Sequence, residues 1–256
     1  MFIRILESIG RFAIRRAEEF GIIVLLYVET MRQLTKKIRW RHIINQMSHL
    51  GVDSLSIVSL TLLFTGVVLT LQTATEFLRF GAASAVGGVI AIAIGRELGP
   101  VLVGVVCAGR IGSAITAEIS TMKVTEQIDA LRVMSVNPVN YLIVPRMLAC
   151  MFVVPLLTMF GDLVGIFGGW VIAVYYNGIS SYLYMDSIDT FCKFFDLAGG
   201  MIKAIFFGNV IAVLGCYYGL HSPDGAEGVG IATTRTVVAS IVAIFALNAL
   251  LTFIIF

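Results

Sequence analysis

Charged residues are scarce in this sequence. Of its 256 residues, 18 are Lys or Arg and 16 are Asp or Glu, which together make 13% of the chain, whereas 58% are hydrophobic. Soluble globular domains carry about 25% charged residues. A shortage of this size excludes an ordinary soluble domain and indicates a protein that resides in a membrane.

Histidine and the common catalytic motifs are also scarce or missing. The chain has three histidines, His42, His49 and His221, and none of them forms an H-E-x-x-H motif. It has neither a G-x-S-x-G sequence nor a G-x-x-x-x-G-K-[ST] phosphate loop. We therefore expect a protein that is not an enzyme and that holds no metal or cofactor. Any ATPase that drives it must be a separate chain, which would carry the ATP and Mg²⁺.

Cysteine gives no sign of redox chemistry. The four cysteines, Cys107, Cys150, Cys192 and Cys216, show no C-x-x-C spacing. Three of them fall within apolar segments, where a thiol behaves as a small apolar group. We assign none of them a redox role.

Long uncharged runs predict membrane spans. Residues 54–75 and 236–256 contain no charged side chain, and each run can cross a bilayer at about 1.5 Å per residue. Three further apolar blocks are interrupted by one or two charges: 81–109 by Arg96 and Glu97, 147–176 by Asp162, and 201–220 by Lys203. The pattern predicts an all-α membrane protein with about five transmembrane helices.

The first 50 residues form a separate N-terminal segment, followed by a transmembrane domain over 51–256. Within the N-terminal segment, apolar residues recur at spacings of three and four, opposite a charged face: Phe2, Ile5, Leu6, Ile9, Phe12 and Ala13. This pattern predicts an amphipathic helix lying in the headgroup plane, with packing on protein as the alternative. A sixth span is not expected, because the uncharged stretch 20–28 is far shorter than the roughly 20 residues a span needs.

Basic residues set the orientation. Half of the Lys and Arg residues precede the first span, so the positive-inside rule predicts a cytoplasmic N-terminus, and five spans then put the C-terminus on the outer side. The formal charge of +2 is better explained by this topology and by anionic lipid headgroups than by a nucleic acid. We expect no nucleic-acid partner.

Small residues recur every four positions in two of the spans: Ala91, Gly95 and Gly99 in the second, and Gly161, Gly165 and Gly169 in the third. Such stripes let helix backbones approach closely. The sequence leaves open whether they join helices of one subunit or two subunits.

A short helix is predicted in the cytoplasmic loop between the second and third spans. Thr125 can cap it, Glu126 and Asp129 suit its first turn, and a turn is expected at Asn137 and Pro138. Its apolar residues recur at three-residue spacing: Ile128, Leu131 and Met134. This helix is either an ordinary solvated loop helix or one that docks into a cytoplasmic partner.

Arg96, Glu97 and Arg110 lie in an otherwise apolar region. An Arg at the centre of a span costs about 2.5 to 3.5 kcal/mol, so these residues call for burial in protein or water. Arg96 and Glu97 project about 100° apart and need separate partners. Pro100 frees the carbonyl of Arg96, which predicts a kink and a polar pocket. The charges serve either a structural ion-pair network or a polar site on a translocation path.

Thr233 or Thr234 is predicted to cap the last span, which places Arg235 at its start. It could bind a lipid phosphate beside the free N–H groups of the first helical turn. The alternative is ordinary positive-inside anchoring.

Two blocks of the sequence resemble a known family. Residues 95–146, GRELGPVLVGVVCAGRIGSAITAEISTMKVTEQIDALRVMSVNPVNYLIVPR, and residues 225–238, GAEGVGIATTRTVV, are similar to the MlaE/YrbE permeases of mammalian-cell-entry (MCE) lipid transporters. The resemblance implies a homodimeric permease in a bacterial inner membrane. It also implies cytoplasmic ABC ATPase subunits and a periplasmic or membrane-anchored MCE protein. The cargo would be lipid, with phospholipid as the default.

The resemblance also implies roles for particular residues. The segment from Glu126 to Met134 would form the coupling helix seated in the ATPase, through Glu126, Gln127, Ile128, Asp129, Leu131 and Met134. Arg96, Glu97 and Arg235 would be polar positions near the lipid path. Two functions of other classes compete with this one: an anion channel that uses Arg96 and Arg110, and a membrane scaffold that transports nothing.

Overall fold

The computed structural model describes residues 2–34 and 40–256, which are almost entirely helical. No strand occurs within these two ranges. Five helices of the described chain are long and apolar enough to cross a membrane: Trp40–Arg79, Ala83–Val124, Val139–Tyr175, Phe194–Leu220 and Gly225–Ile255. The prediction of an all-α membrane protein with five spans is confirmed.

Two of these spans are much longer than a bilayer is thick. The first, α2 (Trp40–Arg79), has 40 residues and the second, Ala83–Val124, has 42. At 1.5 Å per residue each is about 60 Å long, twice the roughly 30 Å of a hydrocarbon core. The apolar block 81–109 covers only part of the helix of the second span, which continues to Val124. Arg110 and Glu118 break its apolar pattern, but both residue types favour helix and the backbone continues.

The second span contains two π-helical segments, a form in which each turn holds an extra residue. It comprises α3 (Val86–Ala93), a π segment (Ile94–Leu98), α4 (Gly99–Cys107), a second π segment (Ala108–Gly112) and α5 (Ser113–Val124). This span is central, because it packs on α2 and on the three other long helices: α7 (Val144–Tyr175), α9 (Phe194–Leu220) and α10 (Gly225–Ile255).

Small residues bring α7 close to α2 and to the second span. A Cβ at Gly161 would lie 3.1 Å from the Leu62 side chain, and one at Gly165 would lie 3.1 Å from the Leu62 carbonyl oxygen. A Cβ at Gly99 would collide with the carboxylate of Asp162. The six positions of the two stripes all face helices of the same chain: Ala91, Gly95, Gly99, Gly161, Gly165 and Gly169.

The N-terminal helix α1 (Phe2–Gln33) precedes the spans and packs on α9 and on the segment Val139–Ile143. The amphipathic face predicted from Phe2, Ile5, Leu6, Ile9, Phe12 and Ala13 stays a prediction, because these side chains lie outside the described part of the chain. The next helix, α2, runs without interruption through residues 50 and 51, where the sequence suggested a division.

Two short helices connect the spans. α6 (Gln127–Val133) follows the second span, and α8 (Ser181–Phe191) follows the third. α8 packs on α3, where the backbone N–H of Gly88 donates to Ser187 Oγ at 2.8 Å. Neither helix is long enough to cross a bilayer.

Two predicted helix starts are wrong. The last span begins at Gly225 rather than at Thr233 or Thr234, and the hydroxyls of these two threonines donate instead to the Gly230 carbonyl at 2.8 and 3.1 Å. Thr125 does not cap α6, because its hydroxyl donates back to the Thr121 carbonyl at 2.8 Å at the end of α5. Threonine serves a carbonyl of the preceding turn as readily as it caps a new helix.

Candidate functional site

Lys203 of α9 is the centre of a charged cluster inside the membrane domain. Its side chain is fully buried, and its Nζ donates to Glu97 Oε1 at 2.6 Å and to Thr252 Oγ1 at 2.8 Å. The same Nζ donates to the carbonyl oxygen of Arg96 at 3.0 Å. Pro100, four residues further along the chain, has no N–H to donate to this carbonyl. Lys203 thus supplies a donor to this carbonyl from α9.

Besides its contact with Lys203, Glu97 also contacts the last span, α10. Its Oε2 accepts a hydrogen bond from Asn248 Nδ2 at 2.9 Å, and its Oε1 lies 2.9 Å from Thr252 Oγ1. The carboxylate thus has partners on α9 and on α10. A charge-assisted network of this kind holds three helices in register.

Arg96 points to a different partner, as its position one residue before Glu97 predicts. Its Nε and Nη2 donate to Asp196 Oδ1 at 2.8 and 2.6 Å, and its guanidinium lies 4.5 Å from the centre of the Phe256 ring. The Arg96 and Glu97 side chains each keep 37% of their surface exposed, whereas that of Asp196 keeps 2%. The cluster therefore opens onto the surface of the chain and is not sealed in its core.

A groove runs along the exposed face of α10. It encloses about 1230 Å³ and is lined mainly by α10, with one residue each from α1 and α9: Glu19, Tyr218, Glu227, Gly230, Ile231, Thr234, Arg235, Val238, Ala239, Val242, Ala243 and Ala246. Its polar and charged residues lie toward the start of α10. Beyond Arg235 its lining is entirely apolar.

Arg235 lies within this groove but not where the sequence suggested. Because α10 begins at Gly225, Arg235 is about 15 Å along the helix and far from the free N–H groups of its first turn. The expectation that these N–H groups share a ligand with Arg235 is wrong. Arg235 also lies apart from Arg96 and Glu97, neither of which lines the groove.

The candidate coupling segment is a single short helix. α6 contains Gln127, Ile128, Asp129 and Leu131, while Glu126 precedes it with a φ of 58° and Met134 follows it. Ile128 and Leu131 pack against the core of the chain. The exposed apolar surface lies at the end of α6 instead, at Val133, which is 86% exposed, and Met134, which is 64% exposed.

The sequence did not predict several partners in the charged cluster. Asp196, Asn248 and Thr252 lie about 100 to 155 residues from Arg96 and Glu97 along the chain, and no local pattern links residues so far apart. Lys203 gave one signal, a lone charge in an apolar block. Asp162 gave the same signal, yet neither of its buried carboxylate oxygens has a hydrogen-bond partner among the described residues.

The remaining polar groups within the described ranges include no cluster that could hold a metal. Arg110 Nη2 lies 3.5 Å from Asp53 Oδ2, and both side chains are partly exposed. No group of three or more His, Cys, Asp or Glu side chains that could hold a metal occurs in residues 2–34 and 40–256. Cys107, Cys150 and Cys216 are buried free thiols, and Cys192 is a partly exposed one.

The sequence matches a known family and several known proteins. The family model Permease MlaE matches residues 43–254. A probable ABC transporter permease protein of Rickettsia typhi is 38% identical over 100% of this chain and 99% of its own length. A probable ABC transporter permease protein of Synechocystis is 42% identical over 87% of this chain and 85% of its own.

A plant protein is also similar. The chloroplastic protein TRIGALACTOSYLDIACYLGLYCEROL 1 of Arabidopsis thaliana is 41% identical over 84% of this chain and 61% of its own length.

Proposed function

This chain belongs to the MlaE permease family, and we propose that it is the membrane subunit of an ABC-type transporter that moves lipid, with phospholipid as the expected cargo. The observation that carries this proposal is the groove on α10. Its volume of about 1230 Å³ suits a bulky ligand, and its lining changes from charged to apolar along its length. A lipid has the same division between a polar headgroup and apolar acyl chains.

The lining residues suggest how a lipid would lie. Arg235 would bind the phosphate, because a guanidinium donates several hydrogen bonds to phosphate oxygens. Val238 and Val242 would contact the acyl chains, together with the alanines that follow them. The name of the Arabidopsis relative contains that of a galactolipid, which also favours lipid as the cargo class.

The charged cluster of Arg96 and Glu97 would form a second polar position near the lipid path. It contacts α10 at Asn248 and Thr252, and Phe256 just after α10, all of which lie beyond the end of the groove at Ala246. Both side chains remain partly exposed, so they are accessible to a headgroup that leaves the groove. The two sites would then act in sequence along one helix.

ATP hydrolysis would take place on a separate cytoplasmic ATPase, which would hold the ATP and Mg²⁺. The proposed docking element is α6 with its flanking Glu126 and Met134, because apolar side chains exposed at its end are suited to a protein partner. Closure of the ATPase would push α6 and thereby change the affinity of the groove for lipid.

The family resemblance leads us to place this complex in a bacterial inner membrane, and the distribution of basic residues gives it a cytoplasmic N-terminus and a periplasmic C-terminus. A second copy of the chain would complete it as a homodimer. Charged residues at membrane depth need protein or water around them, and Arg235 is exposed on the single chain. A periplasmic or membrane-anchored MCE protein would exchange lipid with the outer end.

Charge pairing argues against an anion channel. Arg96 is paired with Asp196, and Arg110 with Asp53, so neither arginine presents an unpaired positive charge to a pore. The change from a charged to an apolar lining along the groove favours a lipid carrier over a scaffold that moves nothing.

The proposed function is tested by purifying the complex from its native membrane and identifying bound lipids by mass spectrometry. The complex is then reconstituted, and transfer of a fluorescent phospholipid is measured with and without ATP. We expect co-purified phospholipid and ATP-dependent transfer. Ion conductance without ATP, together with the absence of transfer, would contradict the proposal.

A further inference from the structure

Lys123 joins two parts of the cytoplasmic side that are distant in sequence. It lies in the last turn of α5, and its Nζ donates to the carbonyl oxygen of Ser222 at 2.6 Å. Ser222 belongs to the turn between α9 and α10 and is 2% exposed. A charged donor at this distance makes a strong hydrogen bond to a fixed backbone group.

The backbone of Lys123 is connected to α6 through a two-residue link. Only Thr125 and Glu126 separate α5 from α6, and both of their backbone N–H groups are bonded back to α5: Thr125 N to Thr121 O at 3.0 Å, and Glu126 N to Lys123 O at 3.0 Å. Gln127 Nε2 also donates to Thr125 Oγ1 at 3.0 Å. A displacement of α6 therefore moves the last turn of α5 with it.

The turn that contains Ser222 leads directly into α10, the helix that lines most of the groove. Gly225, with a φ of 84°, starts α10, and Glu227 is the first groove residue of that helix. The turn is tightly packed on α10, since a Cβ at Gly228 would collide with the Pro223 carbonyl. Movement of the turn is thus passed to the helix that lines the groove.

Two further polar residues lie on the same face of α5, and both are uncharged. Ser120 Oγ lies 3.5 Å from Gly219 O, and Thr116 Oγ1 lies 2.7 Å from Thr236 Oγ1. These contacts hold α5 against α9 and α10 inside the domain. Lys123 completes the row at the cytoplasmic edge, next to α6.

We propose that Lys123 is the positioning residue through which a displacement of α6 reaches α10 and its groove. The proposal rests on the proposed function, in which an ATPase moves α6. A purely structural role for Lys123 would be to stabilise the C-terminal end of α9, where a cation is favourable. If Lys123 is a positioning residue, Lys123→Met weakens the coupling between α6 and α10. If its role is purely structural, Lys123→Met lowers only the stability of the protein.

The main test uses the intact complex in phospholipid vesicles and measures fluorescent phospholipid transferred per ATP hydrolysed. Lys123→Met keeps the apolar stem and removes the donors, and we expect this ratio to fall at least about fivefold. Co-purification of the ATPase and the Tm should stay unchanged. Lys123→Arg should restore most of the ratio. An unchanged ratio in Lys123→Met, or a loss explained by a lower Tm alone, overturns the proposal.

A second readout does not depend on lipid. In a Cys192→Ser background, Val242→Cys places a thiol in the groove, and its maleimide labelling is compared with and without ATP. We expect ATP to change the labelling rate only when Lys123 is present. If ATP changes it equally in Lys123→Met, the proposal fails. Should the unaltered complex move no lipid but show this Lys123-dependent change, only the proposed function fails.

Two more variants complete the comparison. Asn140→Ala removes the 3.3 Å bond to Gln33 O, which links the chain after α6 to α1 instead, and it should leave the ratio near that of the unaltered protein. A large loss in Asn140→Ala with none in Lys123→Met would assign the coupling to α1. If Lys123→Met does not fold, Lys123→Gln replaces it, and an unchanged ratio in Lys123→Gln overturns the proposal.

Discussion

Lys203 Nζ and Glu97 Oε1 lie 2.6 Å apart, and the lysine side chain has no exposed surface. The pair joins α9 to the second span at the π segment. Because Pro100 frees the adjacent Arg96 carbonyl, the same ammonium satisfies a carboxylate and a backbone oxygen at once.

Removing Lys203 should therefore destabilise the protein strongly. Lys203→Met leaves Glu97 and the Arg96 carbonyl without their shared donor, and breaking a buried pair in this way costs about 3 to 5 kcal/mol. We expect a clear fall in Tm in detergent. The double variant Lys203→Met with Glu97→Gln should recover part of the loss, because no charge is then left unpaired. A double variant less stable than Lys203→Met would contradict this reading of the pair.

The close contact of α2 and α7 makes a second prediction. A Cβ at Gly66 would collide with the carbonyl oxygen of Gly165, so Gly66→Ala should force the helices apart and cost about 1 to 3 kcal/mol. The measurement is the thermal melting of the purified protein. Gly21→Ala is the matched control, because a Cβ there meets no atom within 4 Å. Equal Tm values for the two variants would show that the contact tolerates a side chain.

Filling the groove should block transport without unfolding the chain. Val242→Trp puts a large ring among the apolar lining residues, and we expect lipid transfer to fall about tenfold or more, which corresponds to about 1.4 kcal/mol of lost lipid affinity. Arg235→Ala should weaken retention of phospholipid by a similar factor. Both are measured by transfer per ATP and by mass spectrometry of bound lipid.

The control for the groove is Phe245→Trp, which enlarges an exposed side chain of the same helix outside the lining. It should transfer lipid normally. If Phe245→Trp and Val242→Trp are equally impaired, the effect belongs to the helix surface and not to the groove.

The end of α6 offers a test of ATPase docking. Met134→Glu or Val133→Glu places a charge on an apolar surface that is exposed in the single chain, and we expect co-purification of the ATPase to be lost. Leu131 is a poorer choice, because it is partly buried against its own core. Tyr182→Glu on α8 is the control and should keep the ATPase bound. Retention of the ATPase by both α6 variants would remove α6 from the interface.

Cys192 reports the orientation of the chain. It is the one partly exposed cysteine of the four, and it lies between α8 and α9. A membrane-impermeant maleimide should label it in intact spheroplasts if the third and fourth spans meet at the periplasmic side. Burial, assisted by Asp196, raises the pKa of the Cys192 thiol, so the thiolate fraction near neutral pH is lower than for a free cysteine.

Labelling of Cys192 should therefore continue to accelerate at pH values above the ordinary cysteine pKa of about 8.5. Cys192→Ser should abolish the signal, since the other cysteines are buried. Labelling only after the membrane is permeabilised would reverse the proposed topology.

The five spans were predictable because hydrophobic runs are local and long. The partners of the charged residues were only partly predictable from the sequence. Consecutive positions imply different partners for Arg96 and Glu97, and Pro100 implies a free carbonyl, but nothing local identifies Asp196 or Asn248 as the residues that meet them. Helix starts were the least predictable. Thr125 and Thr233 fit the preferences of a cap, yet both bond within an existing helix.

The length of the second span has a practical consequence. A helix of 42 residues is about 63 Å long, and a hydrocarbon core of about 30 Å covers only half of it. Because α6 follows the end of this long helix, α6 need not contact the acyl region of the bilayer at all. A partner protein that binds α6 can consequently be fully water-soluble and free of any membrane anchor. It can be prepared without detergent and then added to the membrane domain.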